Sequence, residues 1–152
     1  MNRNFSILWL LVFAASMFGF KPVADNPDAV VGVWLSGSGK ARIKIYKEAN
    51  QKYYGKIVWL KEPKYQDGTP KVDRNNEDEA KRKTPLMGLI NLRDFVYEGK
   101  NVWIDGFIYD PENGSDYKCK MELTDENTLE VRGFIGISLF GRTDVWKRQV
   151  KK

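Results

Sequence analysis

The chain has no histidine and only one cysteine in 152 residues. Without imidazole, Ser-His-Asp and Cys-His catalysis are excluded, as are zinc sites built on histidine. A lone Cys119 cannot close an internal disulfide, so the fold must rest on an apolar core. Cys119 lies between Tyr117 and Met121 on the apolar side of an alternating segment, where a buried, inert thiol is expected. A concentrated basic face is missing too. The net charge is +5, but lysines and acids interleave along the whole chain, which argues against nucleic-acid binding. Asp73, Asp78 and Glu79 are acidic neighbours without the spacing of a calcium loop. No metal and no cofactor are expected.

One apolar run stands out. Phe5 to Phe20 is broken only by Ser6, Ser16 and Gly19, and Arg3 precedes it. It is shorter than the roughly 20 residues of a membrane-spanning helix and suits the core of a secretory leader. Ala24 is the best cleavage position, although Pro22 is a poor residue for the small-residue rule upstream of the cut. The expectation is a leader over 1–24 and a mature domain over 25–152, periplasmic or secreted, with no transmembrane span left. Losing Arg3 and Lys21 would lower the net charge from +5 to +3.

Turn-forming clusters divide the rest at short intervals: Ser36-Gly37-Ser38-Gly39, Ala49-Asn50-Gln51, Glu98-Gly99-Lys100-Asn101, Asp110-Pro111-Glu112-Asn113-Gly114 and Thr124-Asp125-Glu126-Asn127. Between them the pattern predicts strands over 30–35, 41–48, 52–60, 85–93, 101–109, 116–123, 128–136 and 141–148. Alternation is clearest where Tyr117, Cys119, Met121 and Leu123 oppose Lys118, Lys120 and Glu122. One face is therefore buried and the other wet. Eight short strands joined by hairpins predict an all-β fold, a single antiparallel up-and-down barrel. Residues 61–84 are too long and too polar for a hairpin turn. Asn75 could cap a short helix over 76–83, its acids in the first turn and its bases in the last. A loop of this length is either a lid or a plain crossover.

Several motifs recur together: Gly32-Val33-Trp34, Tyr54-Gly55-Lys56-Ile57, Asp73-Arg74-Asn75, Pro85-Leu86-Met87-Gly88-Leu89, Gly106-Phe107-Ile108-Tyr109-Asp110-Pro111-Glu112-Asn113-Gly114, Val131-Arg132-Gly133-Phe134 and Gly141-Arg142-Thr143 with Trp146-Lys147-Arg148. In this combination the chain resembles the DUF2147 family of exported bacterial proteins across 30–148. The resemblance implies a lipocalin-like (calycin) barrel holding a small hydrophobic or amphipathic molecule. It carries over no catalytic residue. It also implies that Trp34 plugs the closed end beneath a basic residue of the last strand, Arg148 or else Arg142.

Ligand pockets are lined by apolar and aromatic groups with a few placed polar ones. The candidate lining is Tyr53, Ile57, Trp59, Gly106, Ile108, Met121 and Val131. The fifth strand also admits the opposite parity, with Trp103, Asp105 and Phe107 inward. In the last strand Trp146 shares its face with Arg142, Asp144 and Arg148, and charges turned inward need partners. Either an Arg–Asp network closes one end, or Arg142 or Arg148 meets the anionic head of a ligand such as a fatty acid. The leading function is non-enzymatic binding. The alternative is a cell-envelope interaction module with a filled barrel and an outward apolar patch at Val102, Ile104 or Phe134.

Overall fold

A computed structural model describes residues 24–150; the expected leader lies outside them except for Ala24. After a 3-10 turn at Pro27–Val30, eight strands follow: β1 Gly32–Leu35, β2 Ala41–Lys47, β3 Tyr53–Leu60, β4 Ile90–Gly99, β5 Val102–Asp110, β6 Ser115–Asp125, β7 Thr128–Phe134 and β8 Gly141–Arg148. They pair in chain order, all antiparallel, and β8 returns to β1 through Trp34↔Arg148 and Leu35↔Lys147. The closed barrel leaves no sheet edge. Among the described residues no helix is long and apolar enough to cross a membrane.

The fourth strand differs most from its expected place, running over Ile90–Gly99 rather than 85–93. Residues 85–89 belong to the excursion, where Pro85 bridges Val72 and Gly88 turns at φ 87°. The strand then continues through Asp94, a residue that reads as a stop in the sequence. Asp94 takes φ 65° in a bulge. Aspartate tolerates this left-handed region better than most residues.

A second bulge, with Asp105 at φ 58°, settles the parity of β5. Trp103 is fully buried and Gly106 is buried as well, although their spacing is odd. The extra residue resets the alternation, so Trp103 faces inward before the bulge and Gly106 and Ile108 after it. Gly106 gives its space to Phe95: a Cβ there would collide with the phenyl ring. Gly55 likewise yields to Leu92 and Ile43, 2.8 and 2.9 Å from where its Cβ would be. The middle of the barrel is thus filled by side chains.

No α-helix forms in the excursion. A 3-10 turn at Glu79–Lys81 replaces the expected helix over 76–83, and its cap is Asp78, not Asn75. Both asparagines are engaged elsewhere. Asn76 Nδ2 donates to Asp73 at 2.7 Å, and Asn75 Nδ2 donates to the carbonyls of Pro111 and Glu112 at 3.1 and 2.9 Å. The Asp73 amide donates to the Thr84 carbonyl at 2.9 Å, closing the base of this segment.

Candidate functional site at the open end of the barrel

The two ends of the barrel are chemically unlike. At the first, the 3-10 turn lies beneath the core. Trp34 Nε1 donates to the Val30 carbonyl at 2.8 Å, and the Arg148 guanidinium sits 4.1 Å from the centre of the Trp34 ring. All three guanidinium nitrogens of Arg148 donate to backbone carbonyls: Nε to Glu126 at 2.7 Å, Nη1 to Val31 at 3.0 Å, Nη2 to Ala29 at 2.6 Å. A planar fork suits this task, since each donor is fixed relative to the others. Burial pulls the Arg148 pKa below its ordinary value.

The rest of that seal comes from aromatics. Trp103 Nε1 donates to the Pro27 carbonyl at 3.2 Å, and Tyr53 packs edge-on against Trp103. Tyr53 OH donates to Asp28 Oδ1 at 2.6 Å, with Lys47 3.2 Å from the same carboxylate. The Tyr53 bond and then Lys47 hold Asp28 below the usual carboxylate range. Burial, reinforced by Asp28, raises the Tyr53 phenol.

The opposite end collects the loops 36–40, 61–89, 111–114 and 135–140. Inward-facing residues lose burial at both ends: Lys47 and Tyr97 at the sealed end, where they pack on Tyr53 and Trp103, and a second group here. Trp103, Leu92, Phe95 and Leu129 are completely buried. Ile108, Tyr117 and Gly133 share the inward parity yet are half-buried, and Arg142, paired with Gly133, is exposed. A Cβ on Gly133 would meet only Ile108 Cγ2 at 3.3 Å and Tyr117 Cβ at 3.6 Å, so these residues adjoin. Together they form a mixed patch on the inner wall at this end, the cup: apolar at Ile108, a phenol at Tyr117, no side chain at Gly133 and a cation across from it at Arg142. Among the described residues Arg142 makes no ion pair.

The expected lining residues divide between the two ends and the packed middle. Tyr53 belongs to the sealed end. Gly106, Met121 and Val131 face inward and are buried in the core. Ile57 is buried toward the open end, and Ile108 alone among the apolar candidates reaches the cup. Trp59 is half-buried at the open end of β3, with Arg42 stacked 4.6 Å from its ring centre. No Arg–Asp network forms on β8. Asp144 accepts from Trp146 Nε1 at 2.7 Å and the Gly37 amide at 3.2 Å, while Arg148 lies at the far end of the strand.

The excursion is not a lid over the cup. Its anchor is Asp73, 1% exposed, whose Oδ1 accepts from Tyr109 OH at 2.7 Å. Tyr109 alternates with inward-facing Ile108, so the contact lies on the outer wall of β5. Two solvent-open depressions also lie outside the cup: one in the excursion against Tyr65, Val72 and Arg74, the other near the sealed end against Ala29, Leu123 and Arg148.

Sequence reasoning overlooked the loop 135–140. Ile135, Ile137, Leu139 and Phe140 are 72%, 59%, 74% and 71% exposed, whereas Val102, Ile104 and Phe134 are half-buried. The signal was available: a connection where polar turn residues are the rule carries four large apolar side chains. Chemistry is sparse. Cys119 is buried, its thiol pushed up to about 12, and among the described residues no three acidic or thiol groups cluster as metal ligands.

A family described as an uncharacterized protein conserved in bacteria, DUF2147, matches residues 32–148. No curated protein matches. Among solved structures, the chain is similar to protein HP1028 from Helicobacter pylori, described as belonging to the lipocalin family. The match has 22% identity and a TM-score of 0.68, and covers 79% of this chain and 82% of that one. At that identity the likeness concerns the lipocalin-like fold.

Proposed function

The chain belongs to the DUF2147 family, and from that premise we propose that it is a non-enzymatic binding protein for a small amphipathic molecule, of the fatty-acid class, exported from the cell. The observation that carries this reading is the group of half-buried inward-facing residues at the loop-rich end, where Ile108, Tyr117 and Gly133 adjoin and Gly133 pairs with the exposed Arg142. A hydrocarbon segment on Ile108 and in the space left by Gly133 gains about 25 cal/mol per Å² of apolar surface removed from water. A carboxylate at the rim meets the Arg142 guanidinium, whose fork matches it. The packed middle limits how deep the ligand goes. Export rests on the run Phe5–Phe20. The lipocalin-like barrel supports a container role by fold alone.

The test is titration with a long-chain fatty acid, comparing wild type with Arg142→Met. The expected result is saturable binding that weakens about tenfold in the variant, the value of one charged hydrogen-bonded contact. Absence of binding, or equal affinity in the two proteins, overturns the proposal.

A further inference from the structure

The loop 135–140 is exposed yet firmly held. Arg132, on the outer face of β7, donates from Nε to the Ser138 carbonyl at 2.7 Å, from Nη2 to the Leu139 carbonyl at 3.2 Å and from Nη1 to Thr143 Oγ1 at 2.8 Å. The Phe140 amide closes a turn on the Ile137 carbonyl at 3.1 Å. Four large apolar side chains are therefore presented to solvent on an ordered knob, and a contiguous exposed apolar group on a protein surface marks an interaction site.

The wall below the knob carries three cations, with Asp116 beside Lys118 on the same face of β6. Lys118 pairs across the sheet with Phe134, and Lys120 lies directly opposite Arg132. Like charges opposed across strands destabilise a sheet, and among the described residues none of the three forms an ion pair. The nearby acid Asp116 is engaged by Arg93 at 2.7 Å. One step further from the knob the sign reverses, where Glu122 faces Glu130. The outer wall of β6 and β7 is thus positive beside the apolar knob and negative behind it.

We infer that this face docks on an anionic phospholipid surface, with Leu139 and Phe140 entering the interfacial layer and Lys118, Lys120 and Arg132 meeting lipid phosphates. An apolar tip with a basic collar gains from both the buried area and the anionic surface potential. A stable protein partner would instead need a complementary area of about 800 Å² per side, and a six-residue convex knob offers less. The acidic step behind the collar orients the molecule knob-down. The inference does not depend on a ligand in the cup.

Phe5–Phe20 would itself hold the full chain to a bilayer, so the readout sits on the loop. Leu139→Cys, Ile137→Cys and Asn50→Cys each carry an environment-sensitive thiol dye in the full chain, with Cys119 buried and unlabelled. Vesicles are phosphatidylcholine alone or an equal mixture with phosphatidylglycerol. The expected result is a blue shift at 137 and 139 with mixed vesicles, little with phosphatidylcholine, and none at Asn50, at the sealed end. Lys118→Gln with Lys120→Gln should remove most of the blue shift at 137 and 139 with the mixed vesicles. No shift at either loop position, equal shifts with both lipids, or a shift without vesicles alongside a dimer in sedimentation would each overturn the inference. The last result would assign the knob to a second copy of the chain. Loss of fatty-acid binding in Arg142→Met, by contrast, bears only on the cup.

Discussion

Arg148 lies over the indole of Trp34, 4.1 Å from the ring centre, and spends every guanidinium nitrogen on a backbone carbonyl. The contact joins the first strand, the last strand and the N-terminal turn at one point, and so closes both the barrel and its sealed end. Arg148→Met should cost about 2 kcal/mol or more, from the lost stack and three stranded carbonyls. Arg148→Lys should recover less than half of that, because an ammonium cannot serve three fixed acceptors while stacking. Urea unfolding measures both. A loss within experimental error of zero for Arg148→Met would remove the seal from the account.

Filling of the middle is tested at Gly106. Gly106→Ala forces a methyl group into the Phe95 ring and should destabilise by about 1–3 kcal/mol. Phe95→Leu frees the space, so the pair should be less destabilised than the sum of the single changes. Additive costs would mean that the ring does not occupy that position.

The excursion should come away without unfolding the barrel. Tyr109→Phe leaves an oxygen of the buried Asp73 carboxylate without its donor, at a cost of about 1–3 kcal/mol. Hydrogen exchange should then show faster exchange at the Asp73 and Leu86 amides, which donate to Thr84 and Lys71, with β6 and β7 unchanged. Uniform loss of protection across the sheet would show that the strap is part of the barrel's cooperative unit.

Two groups give signed pH effects. Asp28 is held below its ordinary pKa by Tyr53 and Lys47, so its contribution is complete above the unfolded value near 4 and is lost as pH falls through the folded value. Asp28→Asn should flatten the acid limb of the melting-temperature profile. Cys119 is the opposite case. Its thiol is raised from 9.0 to about 12, so the unfolded chain ionises first and stability falls as pH climbs between those values. Native protein at pH 8 should resist a thiol reagent that reacts at once in denaturant. Cys119→Val should remove the thiol's share of the alkaline decline, leaving that of the buried tyrosines. Rapid native labelling would place Cys119 at the surface.

Most of the architecture was legible because strands with one wet face declare themselves by alternation. Cys119, Met121 and Leu123 against Lys118, Lys120 and Glu122 fix the parity of β6 without any other information. Parity failed where the backbone departs from it. Asp94 and Asp105 each insert one left-handed residue, and nothing in an aspartate distinguishes a bulge from a strand end. That is why the fourth strand was placed too early and Trp103 and Gly106 seemed exclusive alternatives. The helix in 76–83 failed for a different reason. Its capping and charge signals are local, whereas Asn75 is taken by Pro111 and Glu112 from a distant turn, and Asn76 turns back onto the anchoring Asp73.

The candidate site was legible in part. Ile108 was singled out by parity and Arg142 as a charge on the face of Trp146; both lie toward the open end of the barrel. Tyr53 was chosen for the same aromatic chemistry but lies at the other end of its strand, since parity says which face a residue takes and not which end is open. Gly133 and Tyr117 were not named among the lining candidates, although Tyr117 had been placed on the buried side of the sixth strand, because parity gives the face and not the depth along the barrel.

The most direct test is an amide NMR titration of the protein with a long-chain fatty acid. The account predicts shifts concentrated at Ile108, Tyr117, Gly133 and Arg142, with Trp34, Trp103 and Arg148 unmoved. Shifts centred on the Trp34–Arg148 end, or a spectrum unchanged at saturating ligand, would contradict it.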